Sequence, residues 1–466
     1  MKYVSQNICG MLGISCYIIV DTFFISVAAG TDGITVLNLV LPVYSLIFAI
    51  GSMIGVGSAT RYAILKGQGK ENADRYFSNA VFWIIGISIP FILTGIFAPD
   101  KVLRVMGADA GIMALGQDYT RIFLLFTPFF MLNFVFSAFV RNDKAPTLAM
   151  VGTMTGSLMN VIFDYIFMFP MGMGLKGAAL ATAASPIASI LICSIHFLQK
   201  KNTVRFVMKK PDAWMLVQSC QLGVPAFIGE ISSGITTALF NFLILGLVGN
   251  VGVAAYGVIA NLSLIFICIF DGIAQGAQPL VSRYYGQGKP DACRKLMRLG
   301  IGTAFIFGIL IVLGVWAFTD PMIALFNSEQ SLEMAEYAHT GLRMYVFGFL
   351  VAGFNIVGTG YLSATGNAKT SFLASISRGF VAIAVFSILL SRLFGLEGVW
   401  CSFAASEAVT AVITAWALGR NGRFHECMGR GGLNRSVPPP KKKEQRKRRG
   451  HECVNDREAM HQKWKI

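Results

Sequence analysis

Apolar residues run along this chain in twelve blocks, at about 5–27, 34–58, 77–98, 119–140, 147–170, 178–198, 215–246, 253–282, 297–318, 339–363, 370–391 and 399–419. Roughly 20 apolar residues cross the hydrocarbon of a bilayer as one helix. The pattern therefore predicts an all-α polytopic membrane protein with twelve transmembrane helices. Composition agrees: 55% of the 466 residues are hydrophobic and only 14% are charged, too few to cover a soluble surface. The first block runs on to Val27 with Asp21 inside it, so it reads as a span and not as a cleaved signal. Lys2 stands almost at its start, an abrupt beginning that leaves open whether residues precede it.

The blocks repeat. Gly67-Gln68-Gly69-Lys70 returns as Gly286-Gln287-Gly288-Lys289, an offset of 219 residues. Gly174-Leu175-Lys176-Gly177 followed by Ala183-Ala184-Ser185 returns as Gly395-Leu396-Glu397-Gly398 followed by Ala404-Ala405-Ser406, an offset of 221. Two copies of a six-helix unit predict two pseudo-symmetric six-helix bundles, residues 1–199 and 215–419, joined by a basic connector at 200–214. Internal duplication in a polytopic protein points first to a transporter.

Charge sets the expected orientation. Loops after even-numbered blocks hold 17 Lys or Arg, from Arg61 and Arg141 through Lys200, Lys209, Lys210 and Arg283 to Lys369, against four after odd-numbered blocks. Cations concentrate on the cytoplasmic side, so the even loops and both termini are expected there, in a bacterial plasma membrane. The net charge of +15 does not argue for nucleic acid. Residues 420–466 carry 14 Lys or Arg against five acids, and Lys441–Arg449 reads as part of a disordered cytoplasmic tail resting on anionic lipid. The nine cysteines show no metal spacing and are expected to be packing residues. No cofactor is expected, and a monomer is.

Charges inside hydrocarbon are costly and by default functional. The blocks contain Asp21, Asp164, Glu230, Asp271 and Glu407. Asp21 and Asp164 each lie six residues before the outer end of their block, which predicts a shared depth roughly 9 Å below the outer edge at 1.5 Å per residue. Tyr17 is one turn from Asp21 and Asn160 one turn from Asp164, so each pair can share a face. Thr182 lies about four residues inside the sixth block. Two carboxylates, an amide, a hydroxyl and a phenol at one level offer oxygen ligands to a small cation, or can share protons. Packing hydrogen bonds within the bundle would explain them without function.

The repeat is an internal control. At offsets of 219 to 223, Asp21 maps to Phe240 or Asn241, Asp164 to 385–387 and Thr182 to Phe403, so the second copy lacks the carboxylates. A single coupling site in one bundle accounts for that asymmetry. Glu230, which follows Pro225, is a candidate for the substrate cleft or for a second proton carrier. Asp271 with Gln275 and Gln278 is the candidate for an inner gate, and Glu407 is expected to pair with a neighbour. A cleft rich in Phe and Met would suit flat organic cations.

The chain resembles the MATE (multidrug and toxic compound extrusion) transporters over residues 1–419. The residues that carry the resemblance are Tyr17-x-x-x-Asp21-Thr22-x-Phe24 followed by Gly30, the Gly-Gln-Gly-Lys loop, Asn160-x-x-x-Asp164, Lys176 to Thr182, and Gln278-Pro279. The resemblance implies two six-helix bundles, a central cleft, and export of organic cations or drugs against inward Na⁺ or H⁺. It also implies that Asp21, Asn160, Asp164 and Thr182 form the coupling site, with those residues as ligands if the ion is Na⁺. The chain departs from the pattern near Gln6, where a proline is often found, and in its basic tail. The nearest rival is a flippase for lipid-linked sugars, which would want a cationic cleft for pyrophosphate. An enzyme is not expected: no His-x-x-x-His pair, no Ser-His set and no two-carboxylate protease motif lies in the apolar blocks.

Overall fold

The computed structural model describes residues 2–324, 326 and 331–431. The basic run at 441–449 lies outside the described residues, as does Glu329. Among the described residues there are helices and no strands, as expected of backbone that must satisfy its own hydrogen bonds in lipid. The helices are α1 (Lys2–Gly67), α2 (Arg75–Phe97), α3 (Pro99–Val105), α4 (Ala110–Leu125), α5 (Thr127–Asn142), α6 (Pro146–Met168), α7 (Gly174–Leu198), α8 (Ala213–Gly286), α9 (Pro290–Ala324), α10 (Leu332–Tyr345), α11 (Phe349–Ala364), α12 (Ala368–Ile376) and α13 (Ala382–Gly431).

Nine helices among the described residues are long and apolar enough to cross a bilayer, or ten if α4 and α5, bent by 44°, form one span. The expected twelve are reached only by dividing Ala213–Gly286 and Ala368–Arg420 at Gly249 and Gly395. Gly30, Gly249 and Gly395 hold φ of 62°, 76° and 60°, so α1, α8 and α13 each turn at a residue with no side chain to clash. Gly30 and Gly249 are 219 apart, and the left-handed Gly174 and Gly395 are 221 apart. The duplication therefore extends to backbone conformation.

Three sequence expectations need correcting. The block at 119–140 is a bent pair beginning at Ala110, broken where Pro128 starts α5. The spans expected at 5–27 and 34–58 extend through Gly67 without a loop, so Arg61 and Lys66 sit on a helix end. Counted from the observed ends, Asp21 is nine residues before Gly30 and Asp164 four before Met168, so the two do not share a depth by residue count.

The described residues up to Leu418 form one compact unit. Inside it are two main hydrophobic cores, one running from Ile25 to Met215 and the other from Phe240 to Phe403. The second is dominated by rings: Tyr345 stacks on Phe403 with centroids 4.3 Å apart, Phe240 stacks on Tyr256, and Trp400 lies beside Tyr256 at 1% exposure. Trp400→Ala is expected to destabilise by about 3–5 kcal/mol, read as a lower thermal unfolding midpoint in detergent.

Candidate functional site

Helices α6 and α7 approach closely at Gly156, whose carbonyl accepts from Ser185 Oγ at 2.9 Å. One turn further on, Asn160 Nδ2 donates to Thr182 Oγ1 at 3.4 Å. Helix α1 packs on α6 through small residues, with Gly13 facing Met154 and Ser157. That packing sets Asp21 beside Asp164, close enough for each carboxyl group to act on the other. Helix-to-helix contact, not equal residue count, brings the two acids together.

All four side chains are buried, Asp164 and Asn160 completely. Asp21 Oδ1, both Asp164 oxygens and Asn160 Oδ1 have no hydrogen-bond partner among the described residues. Two ionised carboxylates only accept, so neither can satisfy the other without a proton or a cation between them. Leaving such atoms unpaired in a dry site costs about 1–3 kcal/mol each or more. This donor set of hard oxygens fits a proton or a small hard cation, and it does not fit a soft transition metal. No group of three or more His, Cys, Asp or Glu suited to a metal occurs among the described residues.

Tyr17 stands within electrostatic reach of both acids and of Glu230. Tyr44 and Tyr119 also lie in the field of Asp21, and Tyr44 stacks on Phe123 at 3.7 Å. Sequence reasoning missed these two phenols. They come from distant parts of α1 and α4 and share no spacing with Asp21.

The counterpart positions in the second half hold no such site. Phe240 and Phe403, in the places of Asp21 and Thr182, are members of the ring cluster. Ser387 Oγ donates to Ser402 Oγ at 3.2 Å near the position matching Asp164.

The remaining candidates fall into two places. Gln275 Oε1 accepts from Arg141 Nη1 at 2.8 Å, and the same nitrogen reaches Asn7 Oδ1 at 2.9 Å. Gln278 Nε2 donates to Thr60 Oγ1 at 2.7 Å. Both glutamines thus join α8 to the first half. Arg141, counted in the sequence as a loop cation, is 6% exposed and has no carboxylate in salt-bridge range among the described residues. Asp271 stands apart from this latch. Its electrostatic neighbours are Arg378 and Glu230, which places it with the half-buried Glu230 in the second half. Glu407 pairs with Arg378, Nε to Oε1 at 2.8 Å, and accepts from Asn355 Nδ2 at 2.7 Å.

Beside this latch, α1 and α8 meet backbone to backbone. A Cβ at Gly223 would lie 1.9 Å from the Met53 carbonyl oxygen, and one at Gly57 would lie 2.0 Å from that of Ser219. Ser363 Oγ donates to the Leu222 carbonyl on the neighbouring turn.

A duplicated all-helical membrane fold, with a pair of buried, unpartnered carboxylates in one half and a polar latch between halves, defines a transporter. The sequence matches the MatE family over residues 8–166 and 225–389, two segments of nearly equal length, and the chain belongs to that family. It is 29% identical over 402 residues to the multidrug export protein MepA of Staphylococcus aureus strain MRSA252, covering 85% of this chain and 87% of that one. It is 26% identical over 400 residues to MepA of Staphylococcus saprophyticus, with the same coverage. Among solved structures, an outward-facing multidrug resistance MATE transporter of the MOP superfamily superposes with a TM-score of 0.85 at 22% identity, over 91% of this chain and 96% of that one. A MOP superfamily transporter from Pyrococcus furiosus, described as having a binding pocket of reversed polarity, gives 0.83 at 23%, over 90% and 95%. Members of this family are transporters, not enzymes.

Proposed function

We propose that the protein is a secondary antiporter that exports organic cations or drugs in exchange for inward H⁺ or Na⁺, with coupling at Asp21, Asn160, Asp164 and Thr182. The observation that carries this reading is the buried carboxylate pair whose oxygens lack partners, present in one half, while in the other Phe240 stands in the place of Asp21 and Ser387 lies near that of Asp164. An ion arriving between Asp21 and Asp164 cancels their repulsion and satisfies both. The two charge states thereby favour different packings of α1 against α6, and a ligand that binds one packing better shifts the population toward it. Tyr17 carries the change toward Glu230, because it lies in the field of acids from both halves.

In the state described here, Arg141, Gln278 and the Gly57–Gly223 contact hold the halves together at the end bearing the basic loops. By the distribution of cations, that end is the cytoplasmic one. The cycle opens this seam to admit a cation from the cytoplasm. The acids Glu230 and Asp271 attract the cation, and the names of the MepA relatives favour drugs as the cargo. One charge crossing 100 mV contributes about 2.3 kcal/mol, and a tenfold ion gradient adds about 1.4 kcal/mol. Together they support a concentration ratio of roughly 500-fold.

The test is efflux of a cationic dye from proteoliposomes with sodium and proton gradients imposed separately. One gradient is expected to drive dye movement and collapse of that gradient to abolish it. Export indifferent to both would overturn the coupling.

A further inference from the structure

Arg378 lies in a π-helical turn, Ser377–Val381, which interrupts the helices of the second half between α12 and α13. Such turns are uncommon and cluster at functional sites. This one leans on α8, since a Cβ at Gly379 would lie 2.8 Å from the side chains of Ile228 and Ser232, on either side of Glu230. The Nε of Arg378 is committed to Glu407, which is 2% exposed and also held by Asn355. Its terminal nitrogens are different: neither makes a hydrogen bond among the described residues, neither is sealed from solvent, and the side chain is 21% exposed. Asp271 on α8 is within electrostatic reach. The second half therefore presents a fixed cationic fork beside two acids that have no salt-bridge partner among the described residues.

We infer that Arg378 docks the carboxylate of substrates that carry both a positive charge and a carboxylate, while Glu230 and Asp271 receive the cationic end. The pairing with Glu407 and Asn355 fixes the guanidinium in place, leaving the two Nη groups to grip a carboxylate in fork geometry. A cation without a carboxylate gains nothing from this contact. Arg378 is thus a specificity-determining residue for such substrates, and the inference rests on the export reading above.

Rhodamine B and its ethyl ester make the comparison, because they share one cationic ring system and differ in a free carboxylate. Transport of each is measured in proteoliposomes containing the full chain, for the wild type, R378K and the R378Q/E407Q double variant. The double variant removes the cation and its buried partner together, so no uncompensated charge is left. For rhodamine B its KM is expected to rise about tenfold, the factor that about 1.4 kcal/mol of lost contact produces, with kcat little changed. For the ester its KM is expected to stay level, because the variant leaves the local net charge unchanged. R378K keeps a charge for Glu407 but loses the fork, and is expected to raise the KM for rhodamine B alone by a smaller factor. Equal changes for the two dyes, in either variant, would overturn the assignment. If the double variant fails to fold, R378K decides by the same comparison. Wild-type export of the ester but not of rhodamine B removes carboxylate docking and leaves cation export standing, whereas failure to export either removes both.

Discussion

Asp21→Asn and Asp164→Asn are each expected to lower gradient-driven export by at least about a hundredfold, the effect of roughly 2.7 kcal/mol on the rate-limiting barrier. Asparagine keeps the shape of each side chain and removes the charge that a proton or Na⁺ would meet. The two substitutions should leave the unfolding midpoint unchanged or higher, because buried carboxylate oxygens without partners do not stabilise the fold. A scaffold role predicts the opposite pattern, with a lower midpoint and transport that falls only as far as folded protein is lost. Dye binding without a gradient separates the steps further and is expected to change by no more than about threefold, or about 0.7 kcal/mol. Export within that factor of the wild type in both variants would remove these acids from the coupling site.

The second large effect is expected at the seam. Gly223→Ala places a methyl group where the Met53 carbonyl oxygen stands 1.9 Å away, against backbone that cannot rotate aside. The helices must separate by more than an ångström, and with them the neighbouring bond from Gln278 to Thr60. Overpacking of this kind costs typically 1–3 kcal/mol, or more against rigid backbone. That cost falls only on states in which this seam is closed. Gly223→Ala should therefore shift the population toward opening at the basic-loop end and slow export by an order of magnitude or more, since each 1.4 kcal/mol is about a tenfold change in population. Cys220, one turn away and partly buried, reports the change. In a chain whose only cysteine is Cys220, its labelling by a membrane-impermeant thiol reagent should accelerate when Gly223 is replaced. An unchanged labelling rate would mean the seam does not open there.

Much of the architecture was legible in one dimension because lipid imposes a simple rule: each span is a long apolar run, and a duplicated gene leaves the same glycines at a fixed offset. Gly30 with Gly249 and Gly174 with Gly395 show that the repeated letters encode repeated left-handed turns. Span limits were less legible. Basic residues at a helix end look like a loop, although Arg61 and Lys66 lie on α1, and a single glycine can turn a helix without any polar linker. The break at Pro128 was hidden because both sides of it are equally apolar.

The candidate site divides in the same way. Asp21, Asn160, Asp164 and Thr182 stood out because a polar residue in hydrocarbon is expensive wherever it lies. Equal spacing from the block ends predicts that these residues meet at one depth, and the observed helix ends do not support that count; close packing of α1, α6 and α7 brings them together. Tyr44 and Tyr119 are ordinary aromatic residues until the fold brings them into the field of Asp21. Arg141 counted as one loop cation among many until the structure buried it between two amide oxygens, one from α1 and one from α8.

Sequence alone determined the solvent, the duplication and the inventory of costly groups, because hydrophobic length, repeat offset and buried charge are properties of residues taken singly or at fixed spacing. Only the tertiary structure decided which of those groups meet and which remain unpaired, and that Glu407 is held by Arg378 while Asp271 is not. Partnership across helices depends on approach distances of a few ångströms, set by where a glycine lets two backbones touch, and no spacing along one chain encodes that.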